Sequence, residues 1–201
     1  MKDAIHRAFE DSISAKRQFA KEHMATLVAV VELLAERLVA GSKILLFGNG
    51  GSAADAQHIA AEFVNRFMLE RPPLPAIALT TDTSALTSIG NDYGFVEIFS
   101  KQVKALGREG DVALAISTSG NSSNVLRAID ACRRKKIHTV GLTGGDGGKM
   151  AGKVDHLLNV SSTRVTARVQ ETHILIGHVL CEMVDVKLFG RVAGKGAAAS
   201  A

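Results

Sequence analysis

The chain has 201 residues, of which 46% are hydrophobic and 22% charged, values that are ordinary for a soluble globular protein. Its 24 basic and 20 acidic residues are spread along the sequence, whereas nucleic-acid binding usually needs a clustered basic patch. No apolar run reaches the roughly 18 residues that a membrane span needs. We therefore expect neither a nucleic acid nor a membrane as partner.

The N-terminal residues mix charges of both signs and lack the apolar core of a secretion signal. The two cysteines, Cys132 and Cys181, lie far apart in different predicted helices. Together these features predict reduced, buried thiols in a cytoplasmic protein.

Residues 1–40 are predicted to form a long amphipathic helix, with no Gly or Pro before Gly41. Apolar residues at three- and four-residue steps give this helix a stripe, made of Leu27, Val30, Val31, Leu34 and Leu38. The stripe can pack against the same chain or against another subunit. We expect a homo-oligomer that is built partly on this segment.

From residue 43 onward, strand and helix patterns alternate. The predicted strands span 43–47, 76–79, 111–117, 137–143 and 156–160. The predicted helices span 52–67, 84–106 with an interruption at 90–94, 122–136, a short segment after the GGDGG turn, and 167–189.

Strands that alternate with helices pair in parallel through right-handed crossovers. The pattern therefore predicts an α/β fold, a three-layer α/β/α sandwich with a five-stranded parallel sheet of flavodoxin-like type. A single domain is expected to cover 1–190, and 191–201 is expected to be a disordered tail because its small residues show little pattern.

The loop after the first strand, GNGGS, is a tight glycine turn that leads into a helix. Backbone N–H groups at a helix N-terminus favour an anion. The spacing differs from the G-x-G-x-x-G of dinucleotide sites, so no nucleotide cofactor is predicted. Two turns further on, His58 and Glu62 share one helix face at i and i+4. Taken alone, such a pair is more often a solvated surface pair than a functional site.

The loop after the third strand, STSGNSSN, carries four serines and a threonine where a strand turns into a helix. Hydroxyl groups and the N–H groups of the following helix can together hold a phosphate. One serine would be explained by helix capping alone, since Ser and Asn are favoured at that position. Ser117, Thr118, Ser119 and Ser122 together favour a phosphate site.

The last helix, with the segment VQETHILIGHVLCEMVD, places Gln170, His173 and His178 among apolar residues. A polar group on a buried helix needs a partner. For His173, a satisfied core histidine is the default interpretation.

In chain order, strand-GNGGSAADAQH, TTDTS followed by GNDYG, and STSGNS-x-N resemble the sugar isomerase (SIS) family of phosphosugar-binding domains. The resemblance covers about residues 43–190. The combination of AQHIAAEF with VQETHILIGH is similar to the family members that convert sedoheptulose 7-phosphate to D-glycero-D-manno-heptose 7-phosphate. That activity is the first step toward ADP-heptose, a precursor of the lipopolysaccharide core or of other heptose glycans. The resemblance also implies a homotetramer.

By the same resemblance, one Zn²⁺ per subunit is implied, with four matching ligands: His58, Glu62, Gln170 and His178. Glu62 matches the catalytic base and His178 the partner acid or base of a metal-assisted enediol or enediolate mechanism. The residues that match substrate contacts are Asn49, Gly50, Gly51, Glu62, Asn91, Asp92, Ser117, Thr118, Ser119, Ser122 and Gln170.

Helix geometry does not by itself favour Gln170 as a ligand. It lies eight residues before His178, roughly 80° round an ideal helix, and Glu171 would align better. The resemblance, and not the spacing, favours Gln170.

Two other functions stay open. The SIS family also includes a non-catalytic adaptor that binds the bacterial replication initiator, in which the Glu and the second His of the metal set are replaced. The presence of both Glu62 and His178 argues against that function. An isomerase of another sugar phosphate is the second alternative, because the length of the sugar cannot be inferred from the sequence.

Overall fold

A computed structural model describes residues 1–190, and the predicted tail at 191–201 lies outside the described residues. The helices are α1 (Lys2–Val39), α2 (Gly51–Val64), α3 (Thr83–Tyr93), α4 (Ile98–Leu106), α5 (Ser123–Arg134) and α6 (Thr166–Phe189). The strands are β1 (Ile44–Gly48), β2 (Ala76–Ala78), β3 (Val112–Ile116), β4 (His138–Gly144) and β5 (His156–Val160). Single turns of 3₁₀ helix at Phe95–Glu97 and Gly148–Met150 complete the set. No helix within residues 1–190 is both long enough and apolar enough to cross a membrane.

The five strands form one parallel sheet in the order β2-β1-β3-β4-β5. This order is the flavodoxin-like arrangement, and the sequence prediction of fold class is confirmed. The chain direction across the sheet reverses between β1 and β3. Ligands of such sheets bind at the carboxyl ends of the strands beside that reversal. The loops after β1 and β3 therefore border the expected crevice.

The two faces of the sheet are covered by different helices. Alternate residues of β1 point to opposite faces, with Ile44 and Leu46 in one apolar cluster and Leu45 and Phe47 in the other. The first cluster includes apolar residues of α1, α2 and α6, and the second includes those of α4 and α5. All five residues of β1 are buried, as expected for a sheet covered on both sides.

The long helix α1 is present as predicted, and its two halves have different surroundings. The predicted stripe of its second half, from Leu27 to Leu38, is buried in the core cluster with α6. In the first half, the side chains of Ile5 and Phe9 are 54% and 67% exposed. Ala15 and Phe19 are buried in the same cluster as the stripe, so in the first half only the large apolar side chains that precede Ala15 face outward.

The segment GNDYG is not the interruption that the sequence predicts. Gly90, Asn91 and Asp92 belong to the last turn of α3, and the N–H of Gly94 still donates to the carbonyl of Gly90. Only Gly94 breaks the helix, because its φ of 87° lies in the left-handed region that favours glycine. The helix after β1 is also shorter than predicted and ends at Val64.

Candidate active site

Three potential metal donors from two helices converge at one point. The Nε2 atom of His58 lies 3.1 Å from Oε1 of Glu62 and 3.3 Å from Nε2 of His178. The ligand atoms of the three residues all lie within 4.8 Å of one another. Zn–N bonds of about 2.0–2.1 Å in tetrahedral geometry place two imidazole nitrogens about 3.3 Å apart. The separation of the two imidazole nitrogens therefore fits two ligands of one zinc ion, and Glu62 lies within reach as a third.

The packing of α2 against α6 brings these donors together. Gly51 contacts Gln170 and Ile59 contacts Gly177, so the two helices run in the same direction side by side. Gly177 allows the close approach, since a methyl group on it would lie 2.6 Å from Cγ1 of the buried Ile59. The ring of Phe67 stacks on His178 with centroids 5.4 Å apart. Sequence reasoning did not select Phe67, although it follows Glu62 by five residues.

The side chain of Gln170, on the first turns of α6, lies against Gly51 at the start of α2. A side chain at Gly51 would lie 3.0 Å from the amide carbon Cδ of Gln170 and closer still to Nε2. Gly51 is two turns N-terminal to His58 on the same helix. The structure thus places Gln170 against the glycine turn, and its role as fourth ligand stays a prediction.

The turn after β1 depends on glycine and is tied to α5. Gly50, the residue that caps α2, has a φ of 56°, a backbone angle that residues with a side chain rarely adopt. The amide groups of Asn49 and Asn124 exchange two hydrogen bonds of 2.8 Å each. This pairing holds the loops after β1 and β3 together across the crevice. The sequence predicts that both loops are functional, but it does not predict that these two asparagines pair.

The serine loop after β3 is arranged for more than helix capping. The Oγ atoms of Ser117 and Ser122 lie 3.0 Å apart, and Ser122 does not cap α5 with its side chain. The N–H of Val125 donates to Oδ1 of Asn124 at 2.9 Å, so the N–H groups that precede it on α5 are the ones open to an anion at this helix N-terminus.

A polar cavity of about 250 Å³ adjoins this loop. Thr118 and Ser119 line one side, and Asp146, Arg164 and Thr166 line the other. Sequence analysis missed the last three residues. Their only signal is position, since they follow β4 or precede α6 at the carboxyl edge of the sheet.

Asn91 and Asp92 are both exposed and hydrogen bond to each other, with Nδ2 of Asn91 2.8 Å from Oδ1 of Asp92. They lie on the last turn of α3, the helix that follows β2. The cluster of metal donors does not include them. Their contact with a substrate stays a prediction.

His173 is a core histidine, as in its default interpretation, but only one of its ring nitrogens is satisfied, since Nδ1 has no hydrogen-bond partner within the described residues. It is fully buried, and its Nε2 donates to the carbonyl of Thr143 at 3.0 Å. Burial lowers the pKa of His173 to about 4, so the ring is neutral near pH 7. Burial also raises the pKa of the Cys132 thiol to about 12, and both cysteines are free and buried.

Comparison with known proteins shows the family of the chain. The SIS domain family model matches residues 8–144. A phosphoheptose isomerase of Thermodesulfovibrio yellowstonii is 51% identical over 195 residues, which cover 97% of this chain and 96% of that protein. One from Nitratidesulfovibrio vulgaris strain Hildenborough is 63% identical over 159 residues, 79% of this chain and 76% of that protein.

Solved structures give the same result. The phosphoheptose isomerase of Neisseria gonorrhoeae superposes with a TM-score of 0.86 at 51% identity, covering 92% of this chain and 98% of that one. That of Francisella tularensis gives a TM-score of 0.87 at 42% identity, covering 91% and 97%. These relatives, together with the presence of Glu62 and His178 in one cluster, favour an enzyme over the non-catalytic adaptor. The chain therefore belongs to the SIS family, where it groups with the phosphoheptose isomerases, and is an isomerase.

Proposed function

We propose that the protein converts sedoheptulose 7-phosphate to D-glycero-D-manno-heptose 7-phosphate and so begins the synthesis of ADP-heptose precursors. The convergence of His58, Glu62 and His178 is the observation that carries this proposal. The helix α2 carries His58 and Glu62, and the Asn49–Asn124 pair ties the turn before this helix to the serine loop. A substrate with a carbonyl at one end and a phosphate at the other fits that arrangement.

The phosphate end is assigned to the serine loop. Ser117, Thr118, Ser119 and Ser122 would donate hydroxyl groups, and the first turn of α5 would donate backbone N–H groups. Neutral donors of this kind hold a phosphate without a nearby lysine. Asn49, Gly50 and Gly51 would line the sugar, and Asn91 and Asp92 would contact it from α3.

His58, Glu62, Gln170 and His178 are the proposed ligands of one Zn²⁺ per subunit. A bound zinc ion supplies a Lewis acid that polarises the oxygens of the substrate. Two imidazoles and a carboxylate are the usual protein ligands of a catalytic zinc, whereas an amide ligand such as Gln170 is uncommon.

Proton transfer is assigned to the side chains of the same cluster. The carboxylate of Glu62 would remove a proton from C1 of the ketose, and the freed electron pair would form the C1–C2 double bond of the enediolate. Return of a proton to C2 gives the aldose. His178 would carry the second proton, from the hydroxyl at O1 to the oxygen at C2. One proton thus moves between the carbons and one between the oxygens.

A direct isomerase assay on sedoheptulose 7-phosphate tests the proposal. We expect Glu62→Gln to abolish turnover while the fold is retained, because the amide cannot accept the proton from carbon. Glu70→Gln is the matched control, since Glu70 is exposed and pairs only with Arg66. Parent-like turnover by Glu62→Gln would exclude Glu62 as the base. Turnover of a pentose phosphate but not of the heptose would show that the substrate is another sugar.

Metal analysis tests the zinc site separately from turnover. We expect about one zinc per chain, which should be lost in His58→Ala and in His178→Ala. His6→Ala, on the exposed side of α1, should keep its zinc. Freshly purified protein without zinc would contradict the metal assignment.

A homotetramer that assembles partly on α1 is proposed from the same family resemblance. An apolar groove of about 420 Å³ between α1 and α6 supports it, with Met24, Val28 and Leu175 exposed along its walls. We assign the groove to a second copy of the chain, because symmetric packing would cover matching apolar faces on both copies. Light scattering should give a tetramer for the parent and a smaller species for Val28→Glu. A monomeric parent would contradict the assignment.

A cytoplasmic location is proposed as well. Two unpaired buried thiols support it.

A further inference from the structure

Arg71 and Asp185 form a buried ion pair at one end of the interface between α2 and α6. The Nε atom of Arg71 lies 2.8 Å from Oδ1 of Asp185, and both side chains are 0% exposed. Among the ion pairs within residues 1–190, no other has both side chains fully inaccessible. Arg71 comes from the segment between α2 and β2, and Asp185 lies on α6.

The guanidinium of Arg71 closes the C-terminal end of α2. Its Nη2 donates to the backbone carbonyl of Glu62 at 2.9 Å, and its Nη1 donates to that of Phe63 at 2.8 Å. The last carbonyls of a helix have no partner within the helix, and a cation there also meets the negative end of the helix dipole. Arg71 therefore holds the backbone of the residue that we propose as base and metal ligand.

Asp185 lies seven residues after His178 on α6. Seven residues are two turns of an α-helix, so the two side chains leave the same face about 10.5 Å apart. His178 meets His58 of α2, and Asp185 meets the arginine that caps α2. The same two helices are thus joined twice, once by the donor cluster and once by the ion pair.

Stability alone is a poor explanation of the pair. Removing two charges from water costs as much as their attraction returns, so well-packed apolar residues often serve a fold equally well. In addition, Oδ2 of Asp185 has no hydrogen-bond partner within the described residues. The pair therefore lacks one of its possible hydrogen bonds, but it ties the C-terminal end of α2 to α6 at the position of Asp185.

We propose that the Arg71–Asp185 pair is a positioning device that sets the spacing between the zinc donors of α2 and the donor of α6. This inference rests on the proposed zinc site. Neither residue touches substrate or metal. Arg71 acts on Glu62 through the backbone, and Asp185 acts by holding Arg71.

The test separates positioning from folding with the double variant Arg71→Met/Asp185→Leu, which leaves no unpaired buried charge. The metal-free protein is titrated with Zn²⁺ in competition with a chromophoric chelator, and thermal unfolding is followed in parallel. We expect the double variant to fold with a Tm near that of the parent and to lose roughly 10- to 100-fold in zinc affinity, as for other residues that orient metal ligands. Lys43→Met is the matched control, because it breaks another ion pair, Lys43–Asp111, while Asp111 still accepts from the backbone N–H groups of Lys43 and Arg108. It should keep the zinc affinity of the parent.

Arg71→Lys provides a second measurement, which still decides the question if the double variant does not fold. Lysine keeps the charge opposite Asp185 but cannot reach the carbonyls of α2 with a planar fork. We expect it to fold and to bind zinc at least several-fold more weakly than the parent. A folded double variant, or Arg71→Lys, with the zinc affinity of the parent would overturn the inference and leave the proposed zinc site intact. A parent chain that binds no zinc would overturn the proposed site itself.

Discussion

Gly177→Ala adds one methyl group at the closest approach of α2 and α6. The new carbon would lie 2.6 Å from Cγ1 of Ile59 and nearer still to Cδ1. Carbon atoms in contact normally lie about 3.5–4.0 Å apart. Ile59 is 0% exposed, so it cannot turn toward solvent to relieve the overlap. The helices must separate by about 1 Å at the level of His178, the next residue along α6.

Two opposing effects determine the stability of this variant. Replacing glycine by alanine inside a helix stabilises it by about 1 kcal/mol. Overpacking a tight core costs about 1–3 kcal/mol. We therefore expect a net loss of about 0–2 kcal/mol in the free energy of unfolding. The effect on activity should be larger than the effect on stability. A displacement of about 1 Å in an active site can reduce turnover about 100-fold.

Urea unfolding, zinc titration and the isomerase assay together measure these effects. Gly152→Ala is the control, because a methyl group there meets nothing within 4 Å. Ile59→Ala removes both clashing atoms, so its combination with Gly177→Ala should destabilise less than the sum of the two single variants. A Gly177→Ala protein that is about 1 kcal/mol more stable than the parent and fully active would refute this reasoning.

Three further predictions concern other parts of the chain. Gly51→Ala should displace only the flexible amide of Gln170, so we expect about a tenfold loss in kcat/KM with stability changed by less than about 0.5 kcal/mol. Equal loss in a Gln170→Ala background would contradict this, since the amide is then already absent. In Gly120→Ala, the new methyl group would overlap the backbone of Gly147, and the φ of 64° at position 120 is itself unfavourable for alanine. Neither backbone can yield. We therefore expect calorimetry to show a lower Tm and kinetics to show a higher KM for the phosphosugar. His173 has a pKa of about 4 when folded and about 6.5 when unfolded, so the unfolded chain binds the proton first as the pH falls. Stability should therefore decrease by up to about 3 kcal/mol from pH 6.5 toward pH 4, measured by urea unfolding with a chelator present, and this decrease should be smaller in His173→Gln.

The fold could be predicted from the sequence because local patterns determine its elements. The apolar strands and the helices between them imply a parallel sheet, and the strand positions agree with the structure to within one or two residues. The end of α3 could not be predicted, because a glycine, an asparagine and an aspartate in succession suit a turn as well as a final helical turn. The bond from Gly94 to Gly90 decides it.

The candidate site could be predicted only in part, for a similar reason. The spacing of His58 and Glu62 places them on one helix face without any knowledge of the fold. Their approach to His178, 120 residues later, depends on how α2 lies against α6. The glycine at position 177 that permits this contact gives no signal in the sequence. Arg71 and Asp185 appear there as two unrelated charges.

The position of α6 as the last helix of the described chain affects biosynthesis. During translation, α1, β1 and α2 leave the ribosome before the rest of the chain, and domains fold progressively from the N-terminal side. His58 and Glu62 alone offer two donors, too few to hold an ion firmly. The remaining donors of the proposed site lie on α6, so zinc would be held there only after that helix has emerged and docked, about a hundred residues later. If the proposed zinc site is correct, bound zinc would mark a chain that has completed its fold, and a chain stalled on the ribosome before α6 would carry none.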